Sequence, residues 1–170
     1  MDFESLRHLM AQHAKLIRLL TEDVSPEQAR WKPDADRWSI LEIINHLYDE
    51  EREDFRAHLD VILHKPEEGW GNITPFTWIT ERRYNERDLA TSVENFLAER
   101  RNSLAWLESL GTPDWEAAMA APWGADISAG DVFASWVIHD QWHIQQLMQM
   151  RRAYTIAQVA PYDVRYAGEL

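Results

Sequence analysis

Apolar residues recur every three or four positions in four long stretches of the chain, with charged residues between them. This spacing is typical of amphipathic helices, because it gathers the apolar side chains on one face. The pattern predicts helices over about residues 2–22, 39–63, 87–110 and 128–154. No internal repeat, low-complexity tract or long stretch of alternating polar and apolar residues interrupts them.

Residues that begin and end helices lie at the edges of these stretches. Ser39 precedes Glu42 by three positions, a spacing that lets the two side chains cap the first turn of a helix. Ser128 also has an acid three residues later, and Gly111 ends the third stretch. Ser25, followed by a proline, predicts one short turn of helix in the first connector.

The connector between the second and third predicted helices covers about residues 65–86. Its prolines and glycines interrupt a helix, and its aromatic residues predict that it packs over the bundle as a lid. A helix of about 25 residues is about 37 Å long, and this connector can span that distance at roughly 3.3 Å per residue. The second and third helices can therefore run parallel, joined by a crossover. The pattern predicts an all-α fold, a four-helix bundle forming one domain over residues 1–170.

The composition narrows the possible partners and metal ligands. The chain has 170 residues and a net charge of −12, and a negative charge of this size repels nucleic acid. It has no cysteine, so disulfides and thiolate metal sites are excluded, and any metal must take nitrogen and oxygen ligands. The acidic N-terminus lacks an apolar signal segment, and no apolar run is long enough to cross a membrane. We therefore expect a cytoplasmic protein with no nucleic-acid or membrane partner.

His139 and His143 lie four residues apart in the fourth predicted helix. They share one face, one turn apart, which is the spacing by which a helix offers two imidazoles to one metal ion. Apolar residues recur on that face, and they supply few hydrogen-bond partners for the ring nitrogens, so a shared metal explains the pair better than two core histidines. A catalytic zinc-type site usually has a third protein ligand. The sequence alone leaves these candidates for it: His8, His13, His46, His58 and His64.

Two further polar residues lie within apolar stripes. His13, in the first predicted helix, is either a core histidine bonded to a neighbour, which we favour, or a pocket residue near the metal. Arg100 lies at the centre of the stripe of the third helix, where an unpaired guanidinium is costly. It therefore pairs with a buried acid such as Asp140 or binds an anionic substrate.

Two segments of the chain resemble motifs of the DinB-like (DinB/YfiT) superfamily. The motif W-S-x-x-E-x-x-x-H-L matches residues 38–47, and the motif H-x-x-x-H-x-x-Q-L matches residues 139–147. The two motifs in this order, with the four-helix layout, cover most of the chain.

The resemblance implies an up-down-down-up four-helix bundle, often assembled as a homodimer. It also implies a divalent metal ion, with zinc or nickel foremost, held by His46, His139 and His143. Some members of the family are S-transferases that use low-molecular-weight thiols, which implies a small-molecule substrate. We therefore expect a homodimer with a three-histidine metal site.

The position of His46 on its helix complicates this assignment. On a helical wheel it falls roughly opposite the apolar stripe centred on Ile44, beside acidic residues. Either the helix buries two faces, with the Ile44 face covered by a second subunit, or the third ligand is absent and the site has decayed. We favour the first explanation, because an open catalytic site must reach water. Glu50, one turn after His46, then orients its ring or lines the pocket.

The predicted site supports two functions. In the first, a metal-dependent enzyme activates a thiol for transfer to an electrophile, or water for hydrolysis, at an open coordination position. The substrate pocket then includes His13, Glu50, Arg100 and Asp140, and no catalytic base is assigned. In the second, the protein is a dimeric helical module that binds a metal ion or a small ligand without catalysis, and the bound metal stabilises it.

Overall fold

The computed structural model describes residues 2–168, most of which are helical. In chain order the main elements are α1 (Phe3–Thr21), α2 (Pro26–Arg30), α3 (Ile40–Glu50), a π-helical turn (Glu51–Phe55), α4 (Arg56–His64), α5 (Pro75–Glu81), α6 (Leu89–Ser109), β1 (Ala118–Ala120), β2 (Asp126–Ser128) and α7 (Ala129–Gln158). Single 3₁₀ turns lie at Pro66–Glu68, Tyr84–Glu86 and Arg165–Ala167. The bundle consists of α1, α6, α7 and the α3–α4 helix, by which we mean α3, the π-helical turn and α4 together.

The second and third bundle helices run parallel. Hydrogen-bonded pairs advance in the same direction along the α3–α4 helix and α6: Asn45–Ser92, Glu51–Arg100 and Arg56–Ser103. Parallel neighbours need a long connection, and residues 65–88 supply it as the predicted crossover.

The first and last bundle helices, α1 and α7, run in the opposite direction to the other two. Ion pairs show α1 antiparallel to α6: Arg7–Glu108 and Arg18–Glu94. Contacts that advance together show α1 parallel to α7: His13–Asp140 and Leu20–Arg151. The order is therefore up, down, down, up, and the predicted fold is confirmed.

The predicted caps position these helices. Oγ of Ser39 accepts from the backbone N–H of Glu42, whose carboxylate accepts from the backbone N–H of Ser39 at 2.8 Å. Ser128 starts α7 with the same reciprocal arrangement, and Ser25 caps the short helix α2. Gly111 follows α6 with a φ of 63°, a conformation that glycine adopts without strain.

Helix α3 is buried on all sides by its own chain. Ile44 is completely buried, in one core cluster with Ile17 of α1 and Phe96 of α6. On the opposite side, His46 is only 4% exposed. The prediction that a second subunit covers the Ile44 face was therefore wrong, because α1 and α6 already cover it. One chain is enough to direct His46 inward, and the homodimer stays a prediction.

The apolar periodicity of the sequence did not predict several local features. The second predicted helix contains the π-helical turn, the crossover contains α5, and the third connector forms a hairpin in which Met119 pairs with Ile127. Helix α7 continues to Gln158, beyond the predicted end at residue 154. Within the crossover, Trp78 of α5 is buried, as expected of a segment that packs over the bundle. Among residues 2–168, no helix is long and apolar enough to cross a membrane.

Candidate metal centre

Three histidines from two antiparallel helices converge on one point. His46 projects from α3, and His139 and His143 project from α7. Nε2 of His139 lies 3.2 Å from Nε2 of His46 and 3.1 Å from Nε2 of His143. One ring nitrogen from each histidine lies within 4.8 Å of the other two, and the described residues contain no second group of histidines and carboxylates placed in this way.

The surroundings keep these imidazoles neutral. Burial, followed by repulsion from the two neighbouring rings, lowers the pKa of His46 to about 2. Burial, followed by the neighbouring His143, lowers the pKa of His139 to about 3, and burial also lowers the pKa of His143. A neutral imidazole carries a free lone pair on one ring nitrogen, which is the form that binds a metal ion.

The spacing of the ring nitrogens fits a divalent metal ion. Two nitrogens bound to one tetrahedral ion at about 2.0–2.1 Å lie about 3.3 Å from each other. Two of the three separations, 3.1 and 3.2 Å, are close to that value, and the ligand nitrogens of His46 and His143 lie within 4.8 Å of each other. Without a cation, Nε2 of His139 has a single N–H or a single lone pair for two neighbouring Nε2 atoms, so the three rings cannot all be paired well. The donor set consists of nitrogen alone, which suits zinc, nickel, copper or iron.

Two residues lie behind the histidine rings. Nδ1 of His143 donates to Oε1 of Gln146 at 2.8 Å, which holds the proton on Nδ1 and turns the Nε2 lone pair toward the cluster. Nδ1 of His46 lies 3.8 Å from Oε1 of Glu50, and neither atom has a hydrogen-bond partner within residues 2–168. Burial, and then the nearby carboxylates of Asp54 and Asp49, raise the pKa of Glu50 to about 9. Glu50 therefore lies beside the His46 ring, where its spacing predicted it.

Aromatic side chains contact all three histidine rings. The Trp38 ring stacks on His143 at 5.9 Å between centroids and meets the His46 ring edge-on at 4.8 Å. Phe55 lies 5.0 Å from the His139 ring. His46 and His143 are buried, whereas His139 is partly exposed. Solvent and small molecules therefore approach the cluster past His139.

The other predicted pocket residues lie in a buried ion network. All five N–H groups of Arg100 are used: they donate to both carboxylate oxygens of Glu51, to both of Asp140 and to the carbonyl of Met10. Nδ1 of His13 lies 3.2 Å from the Asp140 carboxylate. Arg100 therefore has no donor left for an anionic substrate. The structure therefore agrees with the favoured interpretation of His13 as a core histidine and with the Arg100–Asp140 pair, and it corrects the alternative that placed Arg100, Asp140 and His13 in the substrate pocket.

Sequence reasoning did not assign roles to three residues around the site. Trp38 and Gln146 lie within the two motifs, and Gln146 follows His143 by three positions, a helical spacing that brings the two side chains together. Glu51, the partner of Arg100, lies at the start of the π-helical turn. Periodicity gives no signal for a residue there, because it assumes a regular α-helix.

A solved structure shares the fold of this chain. YfiT from Bacillus subtilis, described as a probable metal-dependent hydrolase with an unusual four-helix bundle topology, matches with a TM-score of 0.79 at 14% sequence identity. The match covers 91% of this chain and 88% of that chain, and it shows a shared fold. No curated protein matches the sequence significantly.

The family comparison includes the site itself. The family model of the DinB superfamily matches residues 9–147, which is more than half of the chain. The match contains His46, His139 and His143, together with both motifs. The chain therefore belongs to the DinB superfamily.

Proposed function

We propose that the three-histidine cluster holds a divalent metal ion and that the protein is an enzyme which activates a small nucleophile, water or a low-molecular-weight thiol. The nucleophile forms a bond to an electrophilic centre of a small molecule while the bond to that molecule's leaving group breaks, and the proton of the water or thiol passes to the leaving group or to solvent. The reaction is then hydrolysis or transfer of the thiol. The observation that carries the proposal is the convergence of three neutral Nε2 atoms beside one partly exposed ring. The description of YfiT as a probable metal-dependent hydrolase supports water as the nucleophile.

The chemistry of such a site is general. A divalent ion with three protein ligands and an open position lowers the pKa of a bound water or thiol and supplies positive charge where the reaction develops negative charge. The chain then has to hold three lone pairs in place, keep one approach open and exclude water elsewhere.

A residue of the chain can be assigned to each of these tasks. Gln146 fixes the tautomer of His143, and Glu50 lies where it can accept a hydrogen bond from Nδ1–H of His46. Trp38 covers the rings of His46 and His143 on one side. The partly exposed His139 marks the side on which the nucleophile and substrate enter. This open side favours an enzyme over the alternative of a closed, non-catalytic metal-binding module.

The proposal is tested with protein purified without a histidine tag. We expect the wild type to bind one zinc or nickel ion per chain, and His143→Ala to lose that metal while keeping its helix content by circular dichroism. The metal-loaded protein is then screened with p-nitrophenyl acetate for hydrolysis and with small thiols plus 1-chloro-2,4-dinitrobenzene for transfer. Unchanged metal content in His143→Ala overturns the metal site. Stoichiometric metal without turnover of any substrate in the screen supports the non-catalytic module instead.

A further inference from the structure

An uncharged cleft opens directly beside the three-histidine cluster. Its volume is about 470 Å³, and its lining residues are Phe55, Ala134, Ser135, Ile138, His139 and Trp142. This volume lies within the range of small-molecule binding sites, about 300–1,000 Å³. All lining residues except Phe55 belong to α7, so the cleft follows the face of that helix that passes His139.

The walls of the cleft expose large apolar side chains to solvent. Ile138 is 48% exposed and Trp142 is 70% exposed. Apolar surface of this kind, next to a cluster of polar side chains, marks a place where a ligand or partner is bound. Ile138 lies one position before His139 and Trp142 three positions after it, so the two side chains neighbour each other on one side of His139.

The cleft and the cluster share His139. Trp38 packs against the rings of His46 and His143, whereas the cleft meets the cluster at His139, so the cleft is an approach to the reactive centre. Phe55 packs against His139 and stacks on the buried Trp136 at 5.8 Å, which holds the wall of the cleft in place. The geometry joins a binding surface to a reactive centre.

We propose that this cleft binds an uncharged alkyl or aryl group of the substrate, and that Ile138 and Trp142 determine which groups are accepted. The inference rests on the proposed function, since it assigns the substrate of the same site. No charged side chain lines the cleft, so it offers nothing to neutralise a carboxylate or phosphate on that part of the substrate. The substrate class is therefore a neutral electrophile, such as an ester, that carries an apolar group.

The test uses 1-hexanol and hexanoate as a matched neutral and anionic pair. Each is titrated into the full chain both metal-loaded and after removal of metal by a chelator, and the two ligands are compared on the metal-free protein, where no cation attracts the carboxylate. Binding is followed by NMR through the side-chain N–H signals of tryptophan, with Trp142→Ala assigning the signal of Trp142. We expect hexanol to shift that signal and hexanoate to bind about tenfold more weakly or not at all, a difference of about 1.4 kcal/mol.

Variants on α7 supply the matched control. We expect Ile138→Asn to weaken hexanol binding about tenfold, whereas Trp142→Ala lacks the reporter signal and serves only to assign it. Met148→Asn changes a side chain on the same helix with nearly the same exposure, 53% against 48%, but outside the cleft, and is expected to bind as the wild type does. Absence of hexanol binding to the wild type, equal binding of hexanoate, or equal effects of Ile138→Asn and Met148→Asn would each overturn the inference.

Two further readouts separate this inference from its rivals. If light scattering shows a dimer that Ile138→Asn dissociates and Met148→Asn does not, the cleft is an interface between two copies, and the inference fails. Metal content is measured on the same samples. Hexanol binding together with metal retained in His143→Ala contradicts the proposed function and leaves the cleft as an apolar binding site. Metal lost in His143→Ala without hexanol binding to the wild type contradicts the cleft alone.

Discussion

Oε1 of Glu50 lies 3.8 Å from Nδ1 of His46, one turn along the same helix, and neither atom has a hydrogen-bond partner within residues 2–168. An unpaired polar atom is costly when buried, and here two of them lie side by side at the cluster. With a cation on Nε2 of His46, an ionised Glu50 would accept a hydrogen bond from Nδ1–H of that ring, which is the usual arrangement behind a metal-bound histidine. The pair therefore has a clear role in a metal site and a clear cost in the metal-free protein.

The first prediction concerns this cost. Glu50 has a pKa of about 9 in the fold against 4.5 when free, so the folded protein keeps a proton that the unfolded chain releases between these values. The metal-free wild type therefore loses stability as pH rises from 4.5 toward 9. Glu50→Gln does not ionise and keeps an N–H donor for Asp54. We expect it to raise the free energy of unfolding at pH 8 by about 1–3 kcal/mol, and to change it little at pH 5.

Urea unfolding in the presence of a chelator, at pH 5 and pH 8, measures this difference. Glu116→Gln removes an exposed carboxylate and is expected to change the free energy of unfolding by less than about 0.5 kcal/mol at either pH. A Glu50→Gln variant that is less stable than the wild type at pH 8 would show that Glu50 is ionised and paired in the fold.

A second prediction tests the third ligand. His46→Ala removes one of three converging nitrogens, and we expect metal affinity to fall at least about 100-fold, more than the loss of a residue behind a ligand. His58→Ala is the matched control, since His58 is also buried on the α3–α4 helix but bonds to Asp54 at 2.7 Å and stacks on Trp70. Competition with a chromophoric chelator measures both affinities. Equal losses in the two variants would remove His46 from the ligand set.

The sequence predicted the four bundle helices and one half of the site directly. His139 and His143 needed only helical spacing within an apolar stripe, and Ser39 and Ser128 marked the starts of two of the helices. His46 came from the family motif, because the wheel placed it among acids that look solvated. Two of those acids are buried in pairs with residues of other segments instead: Glu42 with Lys32, and Asp49 with Tyr84. Periodicity records the chemical type of a face, but it does not show which distant residue will cover it.

The cleft could not be predicted from the sequence, for a related reason. Phe55 ends the π-helical turn, which widens the helix locally and changes the direction of the side chains that follow. Its contact with His139 therefore depends on a departure from the regular helical period. Ile138 and Trp142 carried no signal of their own, since large apolar residues on a helix usually indicate core.

A third prediction concerns the residue behind His143. Gln146→Leu removes the acceptor of the Nδ1 proton, so the ring loses its fixed tautomer and orientation. We expect metal affinity to fall by about 10–100-fold. Gln145→Leu changes the exposed neighbour and is expected to leave the affinity unchanged. The chelator competition used for His46 measures both, and a Gln146→Leu variant with wild-type affinity would contradict the role.

The last prediction concerns the buried ion network around Arg100. Replacing Arg100 with methionine keeps most of the side-chain volume and leaves the carboxylates of Glu51 and Asp140 without a cation. Breaking a buried pair in this way costs about 3–5 kcal/mol, because the remaining charges stay desolvated. Arg101→Met alters the exposed neighbour on α6 and is expected to cost less than about 0.5 kcal/mol. Urea unfolding of the metal-free variants at pH 7 measures both costs.

Adding Glu51→Gln and Asp140→Asn to Arg100→Met should recover part of the lost stability, since the unpaired charges are then gone. A triple variant no more stable than Arg100→Met would mean that lost packing and hydrogen bonds cause the destabilisation.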